Sequence, residues 1–147
     1  MTIIYKFSDE HIKQLHQLYK EVWWAKDRSL DDTTNCVRGS QICIGILDND
    51  DKLIGFTRVI SDFIYKAIIF DVIVNDDHRG NGLGQKLMSL VNSHEKLQKV
   101  KHFELYCLPE MESFYANFGF STEVGGIKLM RSTNAYKKIR QSCKQLS

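Results

Sequence analysis

The stretch KAIIFDVIVNDDHRGNGLGQKL, residues 66–87, constrains this chain more than any other. An apolar, β-branched run ends at Val74, and a helix-like pattern with Leu83, Leu87, Leu90 and Val91 on one face begins soon after it. Arg79, Gly80, Gly82 and Gly84 lie at the join. One glycine there would mean only that a turn needs positive φ. Three in alternation let several backbone N–H groups converge on one point, and the helix that starts there adds its positive dipole end. Arg79 supplies a permanent charge with bidentate geometry for phosphate oxygens. The stretch Gly80, Asn81, Gly82, Leu83, Gly84, Gln85 is therefore the expected cradle for a pyrophosphate.

The rest of the chain arranges itself around this join. Residues 2–7 are expected to form a strand closed by Ser8-Asp9, a helix N-cap. Ile12, Leu15, Tyr19 and Val22 predict an amphipathic helix to about Trp24, and a weaker helix covers residues 29–37 before Gly39. QICIGIL, the acidic turn DNDD and KLIGFTRVIS predict a hairpin. KAIIFDVIV is expected at the centre of the sheet, buried on both faces. After the glycine-turn helix, which reaches about Lys96, KHFELYC predicts a strand and EMESFYANFGF a short helix ended by Gly119. STEVGGIKLMRS predicts one or two last strands, and the polar tail from about residue 133 is expected to be helical. The order β, α, α, β, β, β, α, β, α, β gives one mixed α/β sheet with helices on both faces.

With 147 residues, 43% of them apolar, residues 1–147 are expected to form a single domain. The 20 basic and 18 acidic residues are scattered and leave a net charge of only +2. No basic stripe points to nucleic acid, whereas a small anionic ligand fits. Cys36, Cys43, Cys107 and Cys143 form no C-x-x-C pair, so no metal is expected and the thiols are read as free in a reducing cytosol. MTIIYKFSDEH is too short and polar for a signal peptide, and no apolar run approaches the roughly 18 residues of a membrane span. A cytoplasmic protein without membrane contact is the expectation, and a homodimer is left open.

The dinucleotide pattern G-x-G-x-x-G fails at Gln85, and no Gly-Lys-Ser/Thr occurs anywhere. Arg79, Gly82 and Gly84 instead satisfy Arg-x-x-Gly-x-Gly. That arrangement resembles the acetyl-CoA signature of the GCN5-related N-acetyltransferase (GNAT) superfamily. DVIVNDDHRGNGLGQKLM resembles the family's central strand, phosphate turn and following helix, and FYANFGF resembles its fourth-helix pattern. The resemblance implies the GNAT fold, a mixed sheet of about six to seven strands flanked by helices. It further implies acetyl-CoA as cosubstrate and an amine acceptor, most simply a small molecule, that attacks the thioester directly in a ternary complex.

Residue roles follow from the same resemblance. A bulge in the central strand would let the pantetheine arm bond to the backbone of Val72, Ile73 and Val74. Tyr115 matches the tyrosine used as general acid to the departing thiolate. Asp71 is the best-placed general base, on the expectation that burial raises its pKa, with Glu104 second. Trp23 and Trp24 stand where the acceptor pocket is usually walled. Leu108 replaces an Asn that often contacts the cofactor. Cys107 lies in an apolar strand pattern without an adjacent His, which argues against an acetyl-cysteine. Two alternatives stand beside this reading: an arylalkylamine-type acetyltransferase specifically, or a non-catalytic CoA- or partner-binding module on the same fold.

Overall fold

The computed structural model describes residues 1–146. Its elements run β1 (Thr2–Ile4), α1 (Asp9–Tyr19), α2 (Leu30–Gly39), β2 (Ile42–Leu47), β3 (Leu53–Ser61), β4 (Lys66–Val74), α3 (Leu83–Ser93), β5 (His102–Leu105), α4 (Glu112–Ala116) and α5 (Asn134–Leu146). The strands form one sheet in the order β1-β2-β3-β4-β5, antiparallel except for the parallel pair β4 and β5. No helix among the described residues is long and apolar enough to cross a membrane.

Local chemistry sets the starts of the elements. The Ser8 hydroxyl accepts the His11 amide, while His11 Nδ1 accepts the Ser8 amide, a capping box with histidine in the place usual for Glu. Ser29 Oγ accepts the Asp32 amide at the head of α2. In the hairpin turn, Asp48 Oδ1 accepts the amides of Asp50 and Lys52, each at 2.9 Å, and Asp51 takes the left-handed conformation.

Strand alternation divides the core into two layers. Ile42, Ile44 and Ile46 face α3 and join Leu83, Leu87, Met88, Val91 and Tyr115. Cys43 and Leu47 face the other way and join Leu15, Leu18, Tyr19 and Phe56 beneath α1. In β4 the alternation changes phase. Ala67 and Ile69 belong to the α3 layer, yet Ile73, which keeps their parity in sequence, belongs to the α1 layer. One inserted residue between them has turned the strand over.

Four sequence expectations are corrected. The sheet has five strands rather than six to seven, because residues 121–132 form no strand and lie exposed. Helix α1 stops at Tyr19 rather than near Trp24, and i→i+3 turns closed by the amides of Val22, Ala25 and Arg28 carry the chain onward. Helix α3 stops at Ser93 rather than Lys96, since His94 is extended and caps a short 3₁₀ turn. Strand β1 is confined to Thr2–Ile4 instead of running to Phe7.

Candidate functional site

The inserted residue in β4 is Asp71. Opposite β3, Phe56 pairs with Ile73 and Arg58 with Phe70, so two steps on β3 meet three on β4. Asp71 takes up the excess with φ of +57°, a conformation that Asp tolerates better than most side chains. The buried Thr57 hydroxyl donates to the Phe70 carbonyl at 2.9 Å, which satisfies an acceptor at the irregularity.

The bulge aims the Asp71 carboxylate into a cluster of donors. Oδ2 accepts from Tyr19 Oη at 2.8 Å, Arg28 Nη1 at 2.8 Å and Arg58 Nε at 2.7 Å, and Arg28 Nη2 reaches Oδ1 at 3.3 Å. The Asp71 side chain is only 4% exposed. Burial pushes its carboxyl up, but the hydrogen bonds and charges of Arg28 and Arg58 outweigh burial and hold it below the usual carboxylate range. The direction expected from sequence is therefore reversed. The same burial, with the Asp71 charge and hydrogen bond, pushes the Tyr19 phenol well above its ordinary value.

Two guanidiniums share this one carboxylate, so the cluster keeps a surplus positive charge. Aromatic rings frame it: Arg28 Cζ lies 4.7 Å from the Tyr19 ring centre and 5.4 Å from that of Trp24, and Arg58 Cζ lies 4.8 Å from that of Phe70. Trp24 thus borders the cluster through Arg28. Its neighbour Trp23 is 69% exposed. Glu104, the second carboxylate considered, is ion-paired with Lys66 on the surface.

Beyond the bulge the sheet opens. Strands β4 and β5 pair only from Lys66–His102 to Ile69–Leu105, whereas β4 continues to Val74. The backbone of Val72, Ile73 and Val74 therefore has β3 on one side and no β5 partner on the other. At the end of this open stretch lies the glycine turn. Gly80 (φ +80°) and Gly82 (φ +75°) are left-handed, and Gly82 caps α3 without a side chain. A Cβ at Gly80 would meet nothing within 4 Å, and at Gly82 only Gln85 Oε1 at 3.9 Å, so space for a ligand lies over the turn. The first-turn amides of Leu83, Gly84 and Gln85 have no intrahelical acceptor. Arg79 stands exposed beside them, paired with Asp76 at 3.0 Å, and Asn81 bonds back to the His78 carbonyl at 3.3 Å.

Gly84 serves a different purpose. A Cβ there would lie 3.3 Å from Phe114 Cζ, so its missing side chain lets α4 pack close against α3. The next residue on α4 is Tyr115, buried against Phe114 and Phe120. Among the described residues no fully buried side-chain polar atom is left without a partner, yet the Tyr115 hydroxyl forms no hydrogen bond with any of them. The hydroxyl must therefore open to solvent. Burial, with the nearby Cys107, pushes its pKa up to about 12. The Cys107 thiol is itself exposed and raised, by burial of its immediate surroundings and by Glu112 and Glu110, so it resists forming a thiolate.

The structure thus joins the glycine turn to Tyr115 through Gly84 and Phe114, and Trp24 to Asp71 through Arg28. Tyr115 and Asp71 belong to opposite layers of the sheet. The sequence reading missed Tyr19, Arg28 and Arg58. Arg58 was accessible in principle, since a lone Asp in an apolar strand needs a partner and β3 is adjacent; nothing local marked Arg28. No group of three metal-ligating side chains comes together among the described residues.

Comparison with known proteins places this geometry. Residues 39–122 match the family model described as Acetyltransferase (GNAT) domain. The chain is 32% identical over 132 residues to the protein of Pyropia yezoensis named "Uncharacterized N-acetyltransferase ycf52", covering 86% of this chain and 75% of that one. Its fold matches the crystal structure of a putative GNAT-family acetyltransferase of Xanthomonas campestris pv. campestris with a TM-score of 0.77 and 27% identity, over 92% of this chain and 96% of the other. It also matches an aminoglycoside 6'-N-acetyltransferase complexed with coenzyme A, with a TM-score of 0.61 and 20% identity, over 71% of this chain and 61% of that one.

Proposed function

The chain belongs to the GNAT acetyltransferase family, and from that premise we propose that it transfers the acetyl group of acetyl-CoA to a primary amine, most simply that of a small molecule. The observation that carries this reading is the bulge at Asp71, which opens β4 from β5 directly before a left-handed glycine turn and a helix N-terminus. An aminoglycoside acetyltransferase of the same fold carries coenzyme A, which supports a CoA ligand here.

When bound, acetyl-CoA supplies an activated acyl carbon and a thiolate leaving group. The chain's own residues supply the rest. The open backbone of Val72, Ile73 and Val74 offers amides and carbonyls to an extended, amide-bearing arm. The left-handed Gly80 and Gly82 and the free amides at the head of α3 receive a pyrophosphate, with Arg79 beside it. Tyr115 holds a proton at a solvent-accessible hydroxyl and delivers it to the thiolate. Trp24 and Trp23 line the side from which the acceptor enters.

The acceptor arrives as an ammonium ion and must lose a proton. A carboxylate held below its usual range accepts protons poorly, so in this reading Asp71 holds the bulge in place and water removes the proton. The surplus positive charge of Arg28 and Arg58 favours the neutral amine over the ammonium form beside it, which lightens the demand for a strong base.

A screen of amine acceptors with detection of free CoA thiol, run beside calorimetry with CoA, tests the reading. Turnover with at least one amine class is expected. Tight CoA binding with no turnover on any amine would replace the enzyme by a CoA-binding module.

The phosphate turn makes its own prediction. Gly82→Val places a β-branched side chain at positive φ in the space left for the ligand, and is expected to weaken CoA binding well beyond its effect on the melting temperature of the free protein. Arg79→Ala removes a charge that is exposed and shared with Asp76, so the expected loss is about 1.5 kcal/mol, roughly tenfold in affinity. Unchanged CoA affinity in both variants, measured by calorimetry, would refute the assignment of the turn.

A further inference from the structure

The cluster around Asp71 holds donors that its own residues do not use. A guanidinium carries five N–H groups. Asp71 takes one from Arg28 Nη1 and one from Arg28 Nη2, but only that of Nε from Arg58. Ser40 Oγ takes one more from Arg58 Nη1, at 3.4 Å. Arg28 Nε and Arg58 Nη2 bond to nothing among the described residues. No fully buried side-chain nitrogen or oxygen there lacks a partner, so both of these donors reach solvent.

Charge points the same way. Arg28 and Arg58 are two cations on the one anion Asp71, and neither forms an ion pair with another carboxylate among the described residues. The Tyr19 phenol, pushed up by burial and by Asp71, stays neutral and adds no second negative charge. One positive charge is left over, on side chains 28% and 11% exposed. A loose surface arginine would answer it with water and salt. Here Asp71 and the rings of Tyr19, Trp24 and Phe70 already fix the guanidiniums, so an incoming anion need not order them. A single surplus charge matches a carboxylate better than a phosphate, which carries close to two.

We infer that the acceptor is an α-amino acid, whose carboxylate binds Arg28 and Arg58 while its amine meets the thioester. The inference rests on acetyl transfer as proposed above and names the acceptor for that site. Position sets the spacing between the two groups. The pyrophosphate seat lies beyond Val74, so the arm runs back along Val74 and Ile73 towards Val72, and its thioester end meets the bulge. The guanidiniums are held by the side chain of the adjacent residue, Asp71. The anion therefore lies about one side chain's length from the acyl carbon, which selects a carboxylate on the amine-bearing carbon over one at the end of a long chain. Trp24, 41% exposed beside Arg28, gives the side chain of the amino acid an apolar wall.

The test compares each common α-amino acid with its own amide as acceptor, through release of free CoA thiol. The amine of the amide is the less basic, near ~8 like that of a chain terminus, so without an anion seat the amide reacts faster at neutral pH. With the seat, kcat/KM for the best acid should exceed that for its amide by about a hundredfold. Arg58→Lys keeps a cation for Asp71 but removes the free Nη2, and should cut that ratio about tenfold, through the KM of the acid. Melting curves with CoA present give a readout independent of turnover, in which the acid at millimolar concentration should raise Tm more than the amide does. Amides or simple alkylamines acetylated at least as fast as any acid, or a ratio unmoved in a folded Arg58→Lys protein, would overturn the inference and leave acetyl transfer standing. If no compound is acetylated, the acetyltransferase reading falls and the melting curves decide: stabilisation by acids over amides supports the carboxylate site, and equal curves refute it.

Discussion

Tyr115→Phe is expected to lower kcat about 10²–10⁴-fold while leaving CoA affinity and stability almost unchanged. The substitution removes one oxygen and keeps the ring that packs against Phe114 and Phe120. A tyrosine kept for the core would hold its hydroxyl in a hydrogen bond and would lose roughly 0.5–1.5 kcal/mol on becoming Phe. This hydroxyl has no protein partner among the described residues and opens to solvent, so its loss costs the fold little. With the pKa pushed up to about 12, the phenol stays protonated throughout the neutral range and is always ready to donate. An alkaline limb in kcat that belongs to Tyr115 therefore lies above pH 10, the ordinary phenol value, and approaches about 12. The raised value also affects stability, which is full below pH 10 and falls as the pH rises towards about 12. Melting temperature and steady-state rates with one slow generic amine suffice as measurements. A Tyr115→Phe protein of full activity would remove Tyr115 from the chemistry.

Asp71→Ala is expected to destabilise the protein by about 3–5 kcal/mol, the cost of leaving buried charges without their partner. For a chain of this length that is a fall in melting temperature on the order of 10 °C. The loss has two components. Arg28, Arg58 and the Tyr19 hydroxyl all lose their common acceptor, and alanine must occupy a left-handed position that suits it badly. Asp71→Asn separates the two, since asparagine tolerates the backbone but carries no charge. It should recover the backbone part only. Both variants should also bind CoA more weakly, because the opened backbone of Val72–Val74 depends on the bulge. Stability owed to Asp71 is present above its unfolded pKa near ~3.9 and is lost as the pH falls through the lower folded value. A melting temperature within about 2 °C of wild type for Asp71→Ala would show that the cluster adds nothing to stability.

Much of this molecule could be read from residues close together in sequence. The strand, turn and helix around residues 66–93 needed only periodicity and glycine spacing, but the phase change between Ile69 and Ile73 was hidden, because from Ala67 to Val74 the residues on both faces of that strand are apolar except Asp71. Two of the three glycines proved conformational. The third, Gly84, answers to Phe114 far along the chain, and a spacing pattern cannot distinguish close packing from a turn. The surroundings of Asp71 were hidden for the same reason. An apolar strand with one acid predicts a partner without saying which, and Arg28 arrives from a loop whose path depends on where α1 stops. That stop was misread because Val22 continues the apolar spacing after the backbone has left the helix. IKLMRS has the composition of a strand, but composition does not supply a pairing partner, and residues 127–132 form no strand.

The opening between β4 and β5 has a consequence for solvent exchange. A central strand of a sheet is ordinarily the slowest part of a protein to trade its amide hydrogens for deuterium, because exchange there waits for global unfolding. Strand β4 is divided in this respect. Amides up to Ile69 are held between two neighbours, while those of the stretch beyond Asp71 that turn towards β5 have none. In the free protein these amides should exchange at rates typical of loops, in the middle of the sheet. The same few hydrogens should slow when an amide-bearing ligand fills the opening, so a site-resolved exchange map would report occupancy without any catalytic assay.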